Sequence, residues 1–261
     1  MSGRICTMLG IFLLVKFPDD YILAAFLQSC TPLIAGIFSI VWLRKHYTGL
    51  FKLPPMGEII NSYKEGWSIF VSSLAVNLYT ATNVVVLGML TNNVIVGYYS
   101  AADKLIICVR RGIYAVSDAI YPFISKMMKD DIPKGLQFIK KQLFLYLIIG
   151  VVGCTSLFFF SDTIVRLLFG ADYDLTVDVL RILSFVPLAV AISTVFGEET
   201  MLPLNMNSAY SRTLVLGAFF SLISIFPLCY LWGAKGVAIT MLLTEFLIMS
   251  IMGGLLRKQL F

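Results

Sequence analysis

Long uncharged runs alternate with short polar stretches along this chain, and the lengths of the runs set the first expectation. Tyr21 to Leu43, Gln142 to Ser161 and Thr213 to Ala234 each hold 20 or more residues without a charge. A helix of about 20 apolar residues crosses the roughly 30 Å hydrocarbon core of a bilayer. Ile182 to Gly197 and Gly236 to Leu256 add two more spans, the second interrupted only by Glu245. Ile5 to Phe17 is a shorter apolar run, closed by the turn Lys16-Phe-Pro-Asp-Asp20. Gly66 to Ala102 is 37 residues with no charge, too long for one straight span. The polar triplet Thr91-Asn92-Asn93 divides it, so a hairpin is expected over Thr91 to Gly97. The pattern predicts an all-α, polytopic membrane protein of about eight transmembrane helices.

The second half of that long run carries charges in an ordered way. Between Val94 and Ser125 lie Asp103, Lys104, Arg110, Arg111 and Asp118. Steps of seven return to nearly the same face of a helix. Such steps link Asp103 to Arg110, Lys104 to Arg111, and Arg111 to Asp118. The five charges are therefore expected on one stripe of a helix about 47 Å long. Mid-membrane charges are expensive and face protein or water rather than lipid. Two readings stay open: an anion-facing stripe, or a permanent ladder of ion pairs that fixes helix packing.

The polar stretches read as connections. Arg44 to Glu65 holds Arg44, Lys45, Lys52 and Lys64 with the breaker Pro54-Pro55. Lys126 to Lys141 holds five lysines, and Leu136 to Phe144 is amphipathic enough for a membrane surface. Asp162 to Arg181 reads as a polar passage with a turn near Phe169 to Asp174. Threading the spans alternately puts 13 basic residues on one side and 4 on the other, leaving Lys104, Arg110 and Arg111 in the membrane. By the positive-inside rule the richer side, with both termini, is cytoplasmic.

Composition agrees with this picture and removes other classes. Of 261 residues 59% are hydrophobic and only 13% charged, with a mean hydropathy of +0.88; a soluble domain carries about a quarter charged residues. The net charge of +5 arises between apolar runs, where orientation signals belong, so nucleic acid is not implied. Cys6, Cys30, Cys108, Cys154 and Cys229 all lie in apolar runs, as buried small hydrophobes do. His46 reads as a solvated loop residue. No metal site and no cofactor are expected. Arg4 to Phe17 lacks a small-residue cleavage motif, so no cleavable signal peptide is expected.

Three stretches carry a family resemblance: Pro18-Asp-Asp-Tyr21; Glu65-Gly-Trp-Ser-Ile-Phe70 with Asn77-Leu-Tyr-Thr-Ala-Thr-Asn83 and Leu87-Gly88; and Val96-Gly-Tyr-Tyr-Ser-Ala-Ala-Asp-Lys-Leu105 with Ala119-Ile-Tyr-Pro122. The chain resembles the bacterial polysaccharide flippases of the multidrug/oligosaccharidyl-lipid/polysaccharide exporter superfamily. These move undecaprenyl-pyrophosphate-linked O-antigen units across the inner membrane. The resemblance implies two six-helix halves around a midplane site. Residues 1–60 would then be the last two helices of an N-terminal half with a cytoplasmic linker, and residues 61–261 a complete C-terminal half. It implies as partners the lipid-linked oligosaccharide, the bilayer, and the polysaccharide polymerase and chain-length machinery.

Guanidinium groups bind phosphates through forked hydrogen bonds. Arg110 and Arg111 are therefore the candidates for the pyrophosphate, with Lys104 as a point charge. Asp103 and Asp118 could pair with them in the empty site. Ser72, Ser73, Asn77, Thr80 and Asn83 recur at helical spacing and could line a sugar cavity or simply mediate helix packing. Glu245 could couple protons or reach an interhelical donor. Other functions remain. A drug or cation antiporter of the MATE branch would favour an acidic pocket, whereas the stripe has three basic residues against two acidic. A membrane glycan polymerase or glycosyltransferase would need larger loops and a catalytic motif. A structural subunit would need neither arginine.

Overall fold

The computed structural model describes Gly10, Leu14 and residues 21–46, 55–170 and 172–260. The run Ile5 to Phe17 and the turn after it fall almost wholly outside these residues. The described residues are helix and turn, with no strand among them. In chain order the helices are α1 (Tyr21–His46), α2 (Met56–Leu90), α3 (Asn93–Asp130), α4 (Ile132–Phe169), α5 (Asp174–Leu183), α6 (Val186–Phe196), α7 (Asn207–Trp232) and α8 (Ala234–Leu260). A five-residue π turn, Gly197–Met201, follows α6. Helices are what such apolar runs must form, because lipid offers backbone groups no partner.

The chain divides into two compact units, Met1–Asn61 and Ser62–Phe261. The first contains α1, which carries Arg44, Lys45 and His46 in its last turn. His46 is therefore helical rather than in a loop; its ring stacks on Trp42 and lies 3.0 Å from the Trp42 carbonyl.

The second unit is a helical bundle. Five segments are long and apolar enough to cross a membrane: Gly66–Leu90, Ile132–Phe169, Asp174–Met201, Asn207–Trp232 and Ala234–Arg257. The third helix is as long as any of them but carries too many charges for that criterion. The division between α2 and α3 is tighter than the expected hairpin. Only Thr91 and Asn92 leave the helix, and Gly97 is already inside α3. Asn92 makes this possible: its side chain accepts from the amides of Val94 and Ile95 at 3.1 and 3.0 Å, capping α3. The chain then doubles back, bringing Val96 against Gly88.

Two expected connections are mostly helix. The lysine-rich stretch breaks only at Asp131, whose side chain accepts from the Lys134 amide at 3.2 Å and caps α4. Lysine is a good helix former and has no reason to end a helix outside the hydrocarbon layer. The segment Leu136 to Phe144 is accordingly the start of a long membrane helix, not a separate surface helix. Likewise α4 runs on through Asp162 and Arg166, which pair at 2.8 Å one turn apart, and stops at Gly170, whose φ of +99° suits glycine.

Contacts identify the two ends of the bundle. At one end Tyr98 packs edge-on to Tyr173, the Thr176 hydroxyl donates to the Tyr98 carbonyl at 3.0 Å, and Lys235 pairs with Asp178 at 2.7 Å. At the other, Ser68 donates to the Asn207 carbonyl at 2.8 Å, and the lysines around Asp131 gather. The core has two apolar clusters in series. One joins Leu87, Tyr99, Ile106, Leu180 and Met241; the other joins Tyr79, Ile124, Ile139, Phe196 and Ile248. Large apolar side chains such as Phe159, Leu167, Phe219 and Ile223 stand exposed on the outside. In water this would be a liability; in lipid it is the expected surface.

Candidate functional site

The site is built on α3 and begins with the geometry of one helical step. Consecutive residues of a helix point about 100° apart. Arg110 and Arg111 therefore cannot share an environment, and in the structure they do not. Arg110 turns into the bundle and is 8% exposed; Arg111 is exposed.

Arg110 lies between the two apolar clusters. Its Nη2 sits 3.5 Å from Glu245 Oε1 on α8 and donates to the Tyr114 hydroxyl at 3.3 Å. The Tyr79 hydroxyl, from α2, donates to the same Glu245 oxygen at 3.0 Å. Tyr79 and Glu245 are 2% and 3% exposed. A buried charge is tolerable only when paired and hydrogen-bonded, and here three helices supply the partners.

The rest of the stripe faces outward. Lys104, Arg111 and Asp118 are all exposed, and Asp103 is half-buried. The five charges thus cover an arc wide enough to meet two surroundings, rather than the single one expected. One edge points into the bundle; the other forms a line, Lys104–Arg111–Asp118, each two turns from the next.

That line leads to a cavity. A space of about 640 Å³ is bounded by Ser72, Ser73 and Asn77 of α2 and by Tyr114, Ser117, Asp118 and Tyr121 of α3. Glu198 of the π turn and Tyr210 of α7 complete its polar wall. Behind it, a pocket of about 50 Å³ is bounded by Tyr79, Tyr114, Glu198, Tyr210 and Glu245. The cavity and the buried ion pair are thus neighbours, with Tyr114 belonging to both.

The polar residues of α2 divide. Ser73 and Asn77 line the cavity. Thr80 gives its hydroxyl to carbonyls of its own helix, at Val76 and Asn77. Asn83 is buried, 1% exposed, beside Tyr99. In the sequence the uncharged run Ile182 to Gly197 simply stops at Glu198 and Glu199, and nothing in the hydropathy pattern singles out Tyr79, Tyr114 or Tyr210. The available signal was the Glu pair directly after Gly197 in an otherwise apolar segment.

A second cavity, about 760 Å³, is apolar. It runs along α3, α4 and α6 past Val109, Val116, Leu145, Ile149 and Ala191. Among the described residues no group of three or more His, Cys, Asp or Glu side chains could hold a metal ion, and Cys30, Cys108, Cys154 and Cys229 are free thiols.

Residues 2–128 match the family model for polysaccharide biosynthesis protein. Over 252 residues the chain is 32% identical to a protein of Shigella dysenteriae, provisionally named an O-antigen transporter, covering 97% of this chain and 62% of that protein. A counterpart in Escherichia coli strain K12, named in the same way, is 32% identical over 249 residues, covering 95% of this chain and 60% of its own length. The chain is thus similar to both of these proteins along nearly its whole length. It spans about three-fifths of the length of these two relatives. No solved structure matches it.

Proposed function

We propose that this chain forms the C-terminal part of a translocase that carries undecaprenyl-pyrophosphate-linked oligosaccharide from the cytoplasmic to the periplasmic leaflet by alternating access. The reading rests on one observation: an exposed basic line on α3, Lys104 and Arg111, continues two turns on to Asp118, which bounds the polar cavity. Sugar hydroxyls suit the wall of Ser73, Asn77, Tyr121 and Glu198. The pyrophosphate is taken by Arg111 and Lys104. Arg110, bound by Glu245 and Tyr114, keeps α3 in place and reaches the anion only when Glu245 gives it up.

The lysine-rich end of the bundle faces the cytoplasm of the bacterial inner membrane in this reading, as the positive-inside rule requires. The Asn92 end faces the periplasm. A transporter fits better than a polymerase or glycosyltransferase, because the described connections between helices are short turns with no room for an acceptor domain. The two carboxylates deep in the bundle, Glu199 and Glu245, are what an antiporter of the MATE branch would use; the exposed arginine and lysine favour an anionic cargo.

Deleting the gene tests the proposal. Undecaprenyl-linked oligosaccharide should accumulate on the cytoplasmic face, and the wild-type gene, but not Arg111→Ala, should clear it. Normal surface polysaccharide in the deletion strain would reject the reading.

A further inference from the structure

Beside the Ser68–Asn207 hydrogen bond, the lysine-rich end of the bundle opens between α2 and α7. A cavity of about 480 Å³ is bounded there by Trp67, Ser68 and Val71 of α2 and by Ser208, Ser211 and Arg212 of α7. No carboxylate lines it, whereas Asp118 and Glu198 line the polar cavity. Its α7 wall is made of hydrogen-bond donors. The helix begins at Asn207 behind Met206, and no side chain caps its first-turn amides. Uncapped amides at a helix start carry the positive end of the helix dipole and suit a phosphate.

Ser211 points to a ligand independently. A buried serine or threonine in a helix ordinarily gives its hydroxyl to a carbonyl one turn back. Ser72 does so to Ser68, and Thr213 to Ala209. Ser211 is 8% exposed and lines the cavity, yet its hydroxyl donates to no group among the described residues. A hydroxyl so enclosed calls for an acceptor, and the cavity has room for one. Arg212 follows it, exposed, and none of the ion pairs among the described residues includes it. Lys64, also exposed, stands one turn before Ser68 on α2. Arg212 is the last charge before the uncharged run of α7, and Trp67 is of the type that anchors at the headgroup level, so the site lies at the membrane surface.

We propose that Arg212, Ser208, Ser211 and the first-turn amides of α7 form a docking site for the diphosphate of the carrier lipid, which is held there before it enters the polar cavity. The assignment to the carrier rests on the translocase reading above. The guanidinium takes two phosphate oxygens in a fork, and the hydroxyls and amides donate to the others. Continuity favours the carrier over a bystander phospholipid. Ser68 of this cavity and Ser72 of the polar cavity are one turn apart on α2, and Val215 of the first adjoins Leu214 of the second. A headgroup that leaves Arg212 therefore has one helical turn to travel before it meets the polar wall. The site selects for anionic lipids at the cytoplasmic surface, ahead of any contact with Arg111.

The test uses the 261-residue chain purified in detergent and carrying Trp42→Phe and Trp232→Phe, which leaves Trp67 as its one tryptophan. Farnesyl diphosphate, a short polyprenyl diphosphate, is the probe and farnesol the control. The diphosphate should shift Trp67 emission saturably, inorganic pyrophosphate should compete with it, and farnesol should do neither. Arg212→Ala should weaken binding about tenfold or more, Arg212→Lys less, and Ser211→Ala several-fold. Arg212 is exposed, so its replacement should leave folding intact; if a variant does not fold, the wild-type titration and competition decide alone. No saturable shift, an equal response to farnesol, or unchanged affinity in folded Arg212→Ala would overturn the site. An equal response to phosphatidylglycerol would overturn its assignment to the carrier. If the deletion strain kept normal surface polysaccharide while Trp67 still answered the diphosphate, the translocase reading would fall and the diphosphate site would stand.

Discussion

Arg110 meets Glu245 at 3.5 Å across the α3–α8 contact, both side chains being less than a tenth exposed. Breaking such a pair strands a charge in a dry interior. Arg110→Ala or Glu245→Ala alone should cost about 3–5 kcal/mol, whereas replacing both by methionine should be close to neutral. Reversible unfolding in mixed micelles, run as a double-mutant cycle, checks this. Independent, additive losses would show that the pair contributes no coupling.

The neighbouring arginine should behave in the opposite way. Arg111 is exposed, so Arg111→Ala should shift stability by no more than about 0.5 kcal/mol while sharply reducing surface polysaccharide. Arg111→Lys keeps the charge and loses the fork, so part of the export should survive. Measuring protein level and polysaccharide together separates folding from transport. Full export by folded Arg111→Ala would remove Arg111 from the anion path.

Gly236, in the first turn of α8, makes the closest approach to a neighbouring backbone among the described glycines. A Cβ there would stand 1.9 Å from the Leu228 carbonyl oxygen and 2.4 Å from its carbon, backbone atoms that cannot swing aside. Gly236→Ala should therefore destabilise the α7–α8 hairpin by about 1–3 kcal/mol or more. Gly112→Ala, whose Cβ would meet nothing within 4 Å, is the matched control. Thermal unfolding of the two variants side by side reads the difference.

Asp131 supplies a pH-dependent contribution outside the membrane. Hydrogen bonds from Lys134 hold its carboxyl below the usual carboxylate value. A depressed value in the folded state means that the unfolded chain takes up the proton first as pH falls. The stabilisation is therefore complete above the ordinary carboxylate value and is lost as pH drops through the lowered one. Hydrogen exchange at the start of α4 should quicken over that acid range in the wild type. In Asp131→Ala it should already be fast at neutral pH, with no further acid step from this group.

Much of the architecture was legible because lipid simplifies the code. Uncharged run length fixed α7 and α8, and Thr91–Asn92 betrayed the α2–α3 reversal through its polarity. Helix ends were less legible. Lysines around Asp131 and the Asp162–Arg166 pair look like loop residues in a hydropathy pattern, yet their charges sit comfortably on helices that outrun the bilayer. The site was half legible. Periodicity placed five charges on one side of α3 but could not say that Glu245 and Tyr79 wait at one edge of it. The Glu198–Glu199 pair stands out in the sequence, but it falls in a π turn, so an α-helical period could not say which of the two faces inward.

The seven-residue spacing of Lys104 and Arg111 is also a step in voltage. Two turns rise about 10.5 Å, roughly a third of the 30 Å hydrocarbon thickness. A membrane potential of 100 mV acts on one elementary charge with about 2.3 kcal/mol over the full thickness, hence about 0.8 kcal/mol over this step. With the Asn92 end outward, as proposed above, an anion handed from Arg111 to Lys104 in a negative-inside cell would move downhill by that amount per charge. The field would then favour outward passage along α3 and resist return, a rectifying bias written into the helix by nothing more than its pitch.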